Sequence, residues 1–197
     1  MPATIRSLCV FCGSAAGSRE DYAIAARNLG RLLAERGIRL VYGGGNVGLM
    51  GVLADGAIAR GGEVIGVIPQ SLVDRELAHR GVSELRVVRS MHERKALMAD
   101  LSDAFIALPG GYGTIEEFCE VLTWAQLGLH RKPFGLLNVK RFYDPFIAQI
   151  NHAVEMKFID PASWELLMVD ENVDELLARF EKFKPPLVHK WIERGET

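Results

Sequence analysis

A glycine-rich run near the middle of the chain has the composition of a phosphate-binding turn. Residues 109–114 read Pro-Gly-Gly-Tyr-Gly-Thr and follow a short apolar run at 104–108. Glycines let backbone N–H groups approach an anion closely, and a helix that begins at such a turn directs its positive dipole end at the same point. The run therefore predicts a nest for one phosphate group, with a simple capped turn as the alternative. The residues of this nest are Gly110, Gly111, Tyr112, Gly113 and Thr114.

One carboxylate, Glu117, stands close to this turn in the sequence, three residues after Thr114. Thr-x-x-Glu is a capping-box pattern, in which Thr114 would cap a helix and Glu117 would bond back to it. A carboxylate beside a phosphate nest can instead face the sugar of a nucleotide. There it can stabilise an oxocarbenium-like transition state or activate the attacking water. Glu117 could hold both roles in turn.

Two adjacent cations, Arg94 and Lys95, fall in the first turn of a predicted helix that Ser90 and Glu93 open as a capping box. The helix dipole disfavours cations at that end. Their presence indicates an anionic partner, either a phosphate or Glu117, and a solvated charged turn is the alternative.

A second glycine-rich run, Gly-Gly-Gly-Asn-Val-Gly at 43–48, formally matches G-x-G-x-x-G. Such a run brings backbone N–H groups to a phosphate, but a tight turn that needs positive φ explains the match as well. Gly44 and Gly45 are its candidate ligand contacts. Ser14 follows the first apolar run and lacks the G-x-S-x-G pattern of a serine hydrolase, so we expect it to donate a hydrogen bond to a ligand.

The elements that position these residues alternate between short β-branched runs and longer segments of helical period. This pattern predicts an α/β fold, a Rossmann-like open parallel sheet with helices on both faces, whose ligands bind at the carboxyl ends of the strands. We expect one domain over 1–197, with an extended tail from about 184. Strands are predicted at 5–12, 38–42, 63–68, 85–88, 104–108 and 134–139, and helices at 19–36, 144–157 and 173–183, with starts at Ser90, Thr114 and Asp160.

Composition excludes several function classes. The net charge of −2 over 197 residues disfavours a nucleic-acid partner. No apolar run reaches the length of a membrane span or a signal peptide, so we expect a cytoplasmic protein without a membrane partner. The histidines lack metal-ligand spacing, and we expect no metal and no cofactor. Cys9 and Cys12 should point to opposite faces of the first strand as core residues.

Four sequence blocks occur in an order and spacing that is typical of one family. They are Phe-Cys-Gly-Ser at 11–14, the glycine-rich block at 43–51, Met-His-Glu-Arg-Lys at 91–95 and Pro-Gly-Gly-Tyr-Gly-Thr-Ile-Glu-Glu at 109–117. Over about residues 5–183 the chain resembles the LOG (Lonely Guy) family, whose older label is possible lysine decarboxylase. Its members are cytokinin riboside 5′-monophosphate phosphoribohydrolases. The resemblance implies hydrolysis of the N-glycosidic bond of an N6-modified AMP, which gives the free base and ribose 5-phosphate.

The resemblance also implies roles for individual residues. Arg94 and Glu117 correspond to the family's catalytic pair. The nest would bind the phosphate with Glu116 alongside, and Lys95 would join the substrate contacts. Glu76 and Thr123 correspond less closely to further substrate contacts, because residues 69–83 carry no sharp motif.

Family membership further implies a homodimer or a larger homo-oligomer with its sites near the subunit interface. The predicted helix from Thr114 offers Phe118, Leu122 and Leu127 for such contacts.

The alternatives to a cytokinin-specific phosphoribohydrolase are a general AMP nucleosidase and a non-enzymatic carrier of nucleotide or molybdenum cofactor. A carboxylate at the nest favours an enzyme over a carrier. A decarboxylase would need a lysine that holds pyridoxal phosphate, and no lysine has a recognisable context for that.

Overall fold

A parallel sheet organises the chain, as a computed structural model that describes residues 5–75 and 77–184 shows. Its seven strands run in the order β4-β3-β2-β1-β5-β6-β7, and every neighbouring pair is parallel. The order reverses between β1 and β5, which places a crevice at the carboxyl ends of these strands. The strands are β1 Ser7–Phe11, β2 Arg39–Tyr42, β3 Val64–Pro69, β4 Glu84–Val88, β5 Ala104–Ala107, β6 Phe134–Leu137 and β7 Leu167–Asp170.

Helices connect the strands and cover both faces of the sheet. One face packs against α1, α2 and α8, and the other against α4 and α5. The helices are α1 Glu20–Glu35, α2 Gly48–Ile58, α3 Gln70–Val73, α4 Met91–Asp100, α5 Tyr112–Gln126, α6 Asp144–Glu155, α7 Pro161–Trp164 and α8 Val173–Glu181, with a 3₁₀ turn at Val139–Arg141. The predicted fold class is therefore confirmed. Within the described residues no helix is long and apolar enough to cross a membrane.

Strand β1 shows how the sequence fills two cores at once. Its side chains alternate, so Leu8 and Val10 lie in one core while Cys9 and Phe11 lie in the other. Cys12, at the end of the strand, is buried on the face opposite to Cys9. The two thiols cannot meet, and the prediction of plain core cysteines is confirmed.

Two predicted helix ends agree with the structure. Gly37 follows α1 with a φ of +65° and donates its N–H to the carbonyl of Ala34 at 3.0 Å, as a left-handed C-terminal cap does. Ser90 caps α4, because its hydroxyl accepts a hydrogen bond from the N–H of Glu93 at 3.1 Å. This cap fixes the start of the helix that carries Arg94.

The predicted cap at Thr114 is wrong. Helix α5 begins at Tyr112 with Gly111 at the N-cap position, so Thr114 and Glu117 lie inside the helix. A Cβ on Gly110 would overlap the Thr114 side chain, which shows that the glycine turn folds tightly enough to start the helix early. Phe118 is also only 2% exposed and belongs to the core, so it is not available for subunit contacts.

Strand β7 was not predicted. It has only four residues, pairs with β6 at the edge of the sheet, and follows the one-turn helix α7. So short a run gives no clear period of alternation. The predicted tail beyond Lys184 lies outside the described residues.

Candidate active site

A cavity of about 370 Å³ lies where the carboxyl ends of β1, β2 and β3 meet the start of α5. This volume is within the range of about 300–1,000 Å³ that small-molecule sites occupy. Both glycine-rich runs contribute to its wall. The polar part of the lining comes from Ser14, Gly43, Gly45, Arg94, Gly111, Gly113, Thr114, Glu116 and Glu117.

Arg94 enters the cavity from the first turn of α4 and is held from two sides. Its Nε donates to the carbonyl oxygen of Val67 at 3.1 Å, and its Nη1 donates to Oε1 of Glu117 at 2.8 Å. The absence of a side chain at Gly43 makes room for it, because a Cβ there would overlap Nη2. Arg94 is 8% exposed, and burial together with these two hydrogen bonds holds its guanidinium in one orientation.

Glu117 projects from α5 towards the same point and is 7% exposed. Burial raises the pKa of its carboxyl above the ordinary value, and the Arg94 guanidinium opposes this rise. A buried carboxylate with a raised pKa and an oriented cation beside it suits acid–base work or the stabilisation of a developing positive charge. Glu117 lines the cavity and can act on a ligand there.

The first turn of α5 forms the floor of the cavity. Gly111, Tyr112, Gly113 and Thr114 all line it, and the first N–H groups of a helix have no partner within the helix. Thr114 is buried, whereas Tyr112 is 96% exposed at the rim. This arrangement can hold a phosphate through backbone N–H groups and one hydroxyl.

Among the described residues that line the cavity, Lys95 does not occur. Its ammonium lies between two carboxylates of α5, 2.5 Å from Oε1 of Glu116 and 3.1 Å from Oε2 of Glu120. Burial alone would lower the pKa of this ammonium, but the two carboxylates raise it above its ordinary value. Glu116 lies at the cavity wall and is partly neutralised by this contact.

The remaining predicted site residues fall at different distances from the cavity. Ser14 and Gly45 line it. Gly44 has a φ of +71° and packs on strand β3, and Gly110 lies behind the nest beside Gly13. These two glycines shape the loops without lining the cavity.

Two further predicted contacts stand apart. Thr123 lies more than two turns along α5 from the nest, and its hydroxyl donates to the carbonyl of Cys119 at 2.8 Å. Glu76 lies outside the described residues. No group of acidic, histidine or cysteine side chains able to hold a metal occurs in residues 5–75 and 77–184.

Sequence reasoning missed the apolar wall of the cavity. Six side chains form this apolar wall, namely Val47, Met50, Ile68, Leu72, Leu77 and Met91. Ile68 could have been found, because it lies near the carboxyl end of a predicted strand. Val47 lies in the second glycine-rich run, and the others come from α2, from α4 and from the segment around α3, which carries no motif. Only the fold brings them together.

Comparison with known proteins gives a consistent result. Residues 50–180 match the family described as "possible lysine decarboxylase". The chain is 53% identical over 180 residues to the rice cytokinin riboside 5′-monophosphate phosphoribohydrolase LOG, covering 91% of this chain and 74% of that protein. It is 51% identical over 180 residues to LOG3 of Arabidopsis thaliana, which carries the same activity in its name, covering 91% of this chain and 84% of that one.

Solved structures show the same fold in more distant proteins. The molybdenum cofactor binding protein of Rippkaea orientalis is 26% identical, with a TM-score of 0.68 over 89% of this chain and 97% of that one. The molybdenum cofactor carrier protein of Chlamydomonas reinhardtii is 22% identical, with a TM-score of 0.66 over 91% and 98% of the two chains. At such low identity the second likeness concerns the fold alone.

Proposed function

This chain belongs to the LOG family of phosphoribohydrolases, and from that premise we propose that it hydrolyses cytokinin riboside 5′-monophosphates. The reaction breaks the bond between C1′ of the ribose and N9 of an N6-modified adenine, and water supplies the new oxygen on C1′. The products are the free base and ribose 5-phosphate. The observation that carries the proposal is the buried Arg94–Glu117 pair, 2.8 Å apart, in a cavity whose floor is the glycine-rich first turn of α5.

The mechanism begins with the phosphate. Backbone N–H groups of residues 111–114 and the Thr114 hydroxyl anchor it, which positions the ribose over Glu117. As the C1′–N9 bond lengthens, positive charge develops at C1′ and the Glu117 carboxylate stabilises it. The same carboxylate then accepts a proton from the attacking water and passes it to the departing base, so that the net reaction consumes one water and leaves Glu117 ionised. Arg94 keeps Glu117 oriented and ionised through its hydrogen bond.

The apolar wall favours an N6-modified base over bare AMP. An N6 alkyl substituent gains free energy when it leaves water for an apolar surface, at about 25 cal/mol per Å². The wall is built from methionine, leucine, isoleucine and valine side chains, of which methionine adapts most easily to the shape of a ligand. A site for unmodified adenine would gain nothing from such a lining at the N6 position.

Incubation of the purified protein with isopentenyladenosine 5′-monophosphate, and separately with AMP, tests this specificity. We expect equimolar free base and ribose 5-phosphate from the modified nucleotide, with a kcat/KM at least tenfold above that for AMP. Equal rates on both nucleotides would favour a general AMP nucleosidase. Tight nucleotide binding without release of base would favour a carrier.

We also propose that the protein acts as a cytoplasmic homodimer or larger homo-oligomer. Helix α5 supports subunit contacts, because Leu122 and Leu127 keep part of their surface exposed while Phe118 anchors the helix in the core. Light scattering on the purified protein measures the mass directly. A monomeric mass at the concentration of the activity assay would exclude assembly as a condition for turnover.

A further inference from the structure

Helices α4 and α5 are joined by two neighbouring groups of ionic contacts. The adjacent cations of α4 each contact α5, Arg94 through Glu117 and Lys95 through Glu116 and Glu120. Only the first contact has both of its side chains in the cavity wall, since Glu116 lines the cavity but Lys95 does not. The second contact consists of Lys95, Glu116 and Glu120, and we call it the Lys95 clamp. It has no part in the mechanism given above.

Helix geometry couples the two contacts. Glu116 and Glu120 are four residues apart, so they lie on one face of α5 one turn from each other. Glu117 follows Glu116 and points about 100° further round the helix, because an α-helix has 3.6 residues per turn. A cation that contacts both Glu116 and Glu120 therefore constrains the rotation of α5 about its axis, in addition to the packing of Phe118 in the core. That rotation sets the direction in which Glu117 points.

The free-energy cost of burying the Lys95 ammonium indicates that this residue orients α5 rather than stabilising the fold. Its side chain is only 8% exposed, and a buried ammonium costs free energy unless carboxylates compensate it. Apolar residues of similar volume in place of both Lys95 and Glu120 would hold α4 against α5 about as well, because replacement of a whole buried ion pair is often neutral for stability. What an apolar pair cannot do is draw two carboxylates, one turn apart on α5, towards a single cation through one hydrogen bond and one ionic contact.

Charge gives the clamp a second effect. Glu116 lines the cavity, and its negative charge would repel a bound phosphate and raise the pKa of Glu117. The Lys95 ammonium, 2.5 Å from Glu116, offsets both effects. Glu120 completes the clamp from one turn further along, with its Oε2 buried and 3.1 Å from the same ammonium.

We propose that Lys95 and Glu120 are positioning residues that fix the rotation of α5 and so hold Glu117 opposite Arg94. The proposal rests on the proposed function. It assigns Glu120 a role in catalysis and gives Lys95 a task other than contact with the substrate. Neither side chain touches the substrate in this account.

Steady-state kinetics of Lys95→Met and Glu120→Gln on isopentenyladenosine 5′-monophosphate test the proposal. We expect kcat to fall roughly tenfold to a hundredfold, because misplacement of a catalytic group by about 1 Å costs up to a hundredfold, while KM changes less than about twofold. Lys95→Arg can still reach both carboxylates and should recover at least half of the lost activity on a logarithmic scale. A Glu35→Gln variant, which removes a surface ion pair with Arg60 far from the cavity, is the matched control and should retain wild-type kcat.

The outcomes separate the clamp from its alternatives. A raised KM with unchanged kcat would overturn the proposal, because it would make Lys95 a substrate contact. An unchanged kcat in Glu120→Gln would also overturn it. If the wild type itself released no base, the proposed function would fail, and the clamp would be judged from crystal structures of both variants. There the proposal requires the Arg94–Glu117 hydrogen bond to lengthen beyond 3.5 Å in Lys95→Met, and a bond still at 2.8 Å would contradict it.

Discussion

Replacement of Gly43 by alanine tests the geometry of Arg94 without replacing any charged residue. The backbone of Gly43 lies outside the left-handed region, so alanine brings no backbone strain. Its Cβ would overlap Nη2 of Arg94 and would lie 3.1 Å from the Cζ atom and 3.3 Å from the sulfur of Met50. The guanidinium must therefore move, and its hydrogen bond to Glu117 breaks.

The size of the effect follows from the bond that is lost. A hydrogen bond to a charged group contributes about 1.5–3 kcal/mol. At about 1.36 kcal/mol for each factor of ten in rate, its loss should lower kcat roughly 10- to 150-fold. The overlap involves a side chain that can shift, so overpacking should cost stability only about 1–3 kcal/mol and the protein should remain folded.

A double-mutant cycle shows whether this loss acts through Arg94. We would measure kcat for Gly43→Ala, Arg94→Met and the double variant, and monitor folding by thermal unfolding. If Gly43→Ala acts by displacing the guanidinium, it should cost no further activity once Arg94 is gone. A Gly43→Ala variant with kcat within about twofold of wild type, or fully additive losses in the double variant, would refute the argument.

Three further predictions concern the same elements. Glu117→Gln should lower kcat about 10²- to 10⁴-fold with little change in KM, the scale of a positioned acid–base group, and product release measured by chromatography checks this. In the wild type, kcat should rise with pH through a midpoint above the pKa of an ordinary glutamate, because burial raises the Glu117 pKa and the ionised form acts. Loss of Arg94 should move this midpoint higher still, because the guanidinium opposes the rise. A pH–rate profile in which kcat does not fall at acidic pH would contradict this. Ser90→Ala removes the cap of α4 and should lower the free energy of unfolding by about 1 kcal/mol in urea titrations. An unchanged free energy of unfolding would show that this cap does not stabilise the protein.

The sequence predicts the fold well where apolar runs are long or flanked by strong signals. Strand β1 and helix α1 were placed within two residues at either end, because alternation and the Gly37 cap mark them clearly. Strand β7 could not be found, because four residues at the edge of a sheet carry too little pattern. The start of α5 was placed too late because the Thr114-x-x-Glu117 pattern imitates a cap, whereas the close packing of the glycine turn sets the helix start.

The site was predictable in its polar part and not in its apolar part. Glycine runs and adjacent cations are local signals, so the nest, Arg94 and Glu117 could all be placed from the sequence. The apolar wall depends on residues such as Met50 and Leu77, which lie on separate segments and meet only in the folded chain. The partners of Lys95 were equally out of reach, because the rotation of α5 relative to α4 decides them.

Release of free base from isopentenyladenosine 5′-monophosphate, compared with its dephosphorylated riboside under the same conditions, tests the central claim most directly. The account predicts rapid release from the monophosphate and at least a hundredfold slower release from the riboside, because only the phosphate reaches the nest and brings C1′ to Glu117. Equal release from both would show that the nest has no part in catalysis. No release from either, with the protein folded and able to bind the nucleotide, would contradict the hydrolase itself.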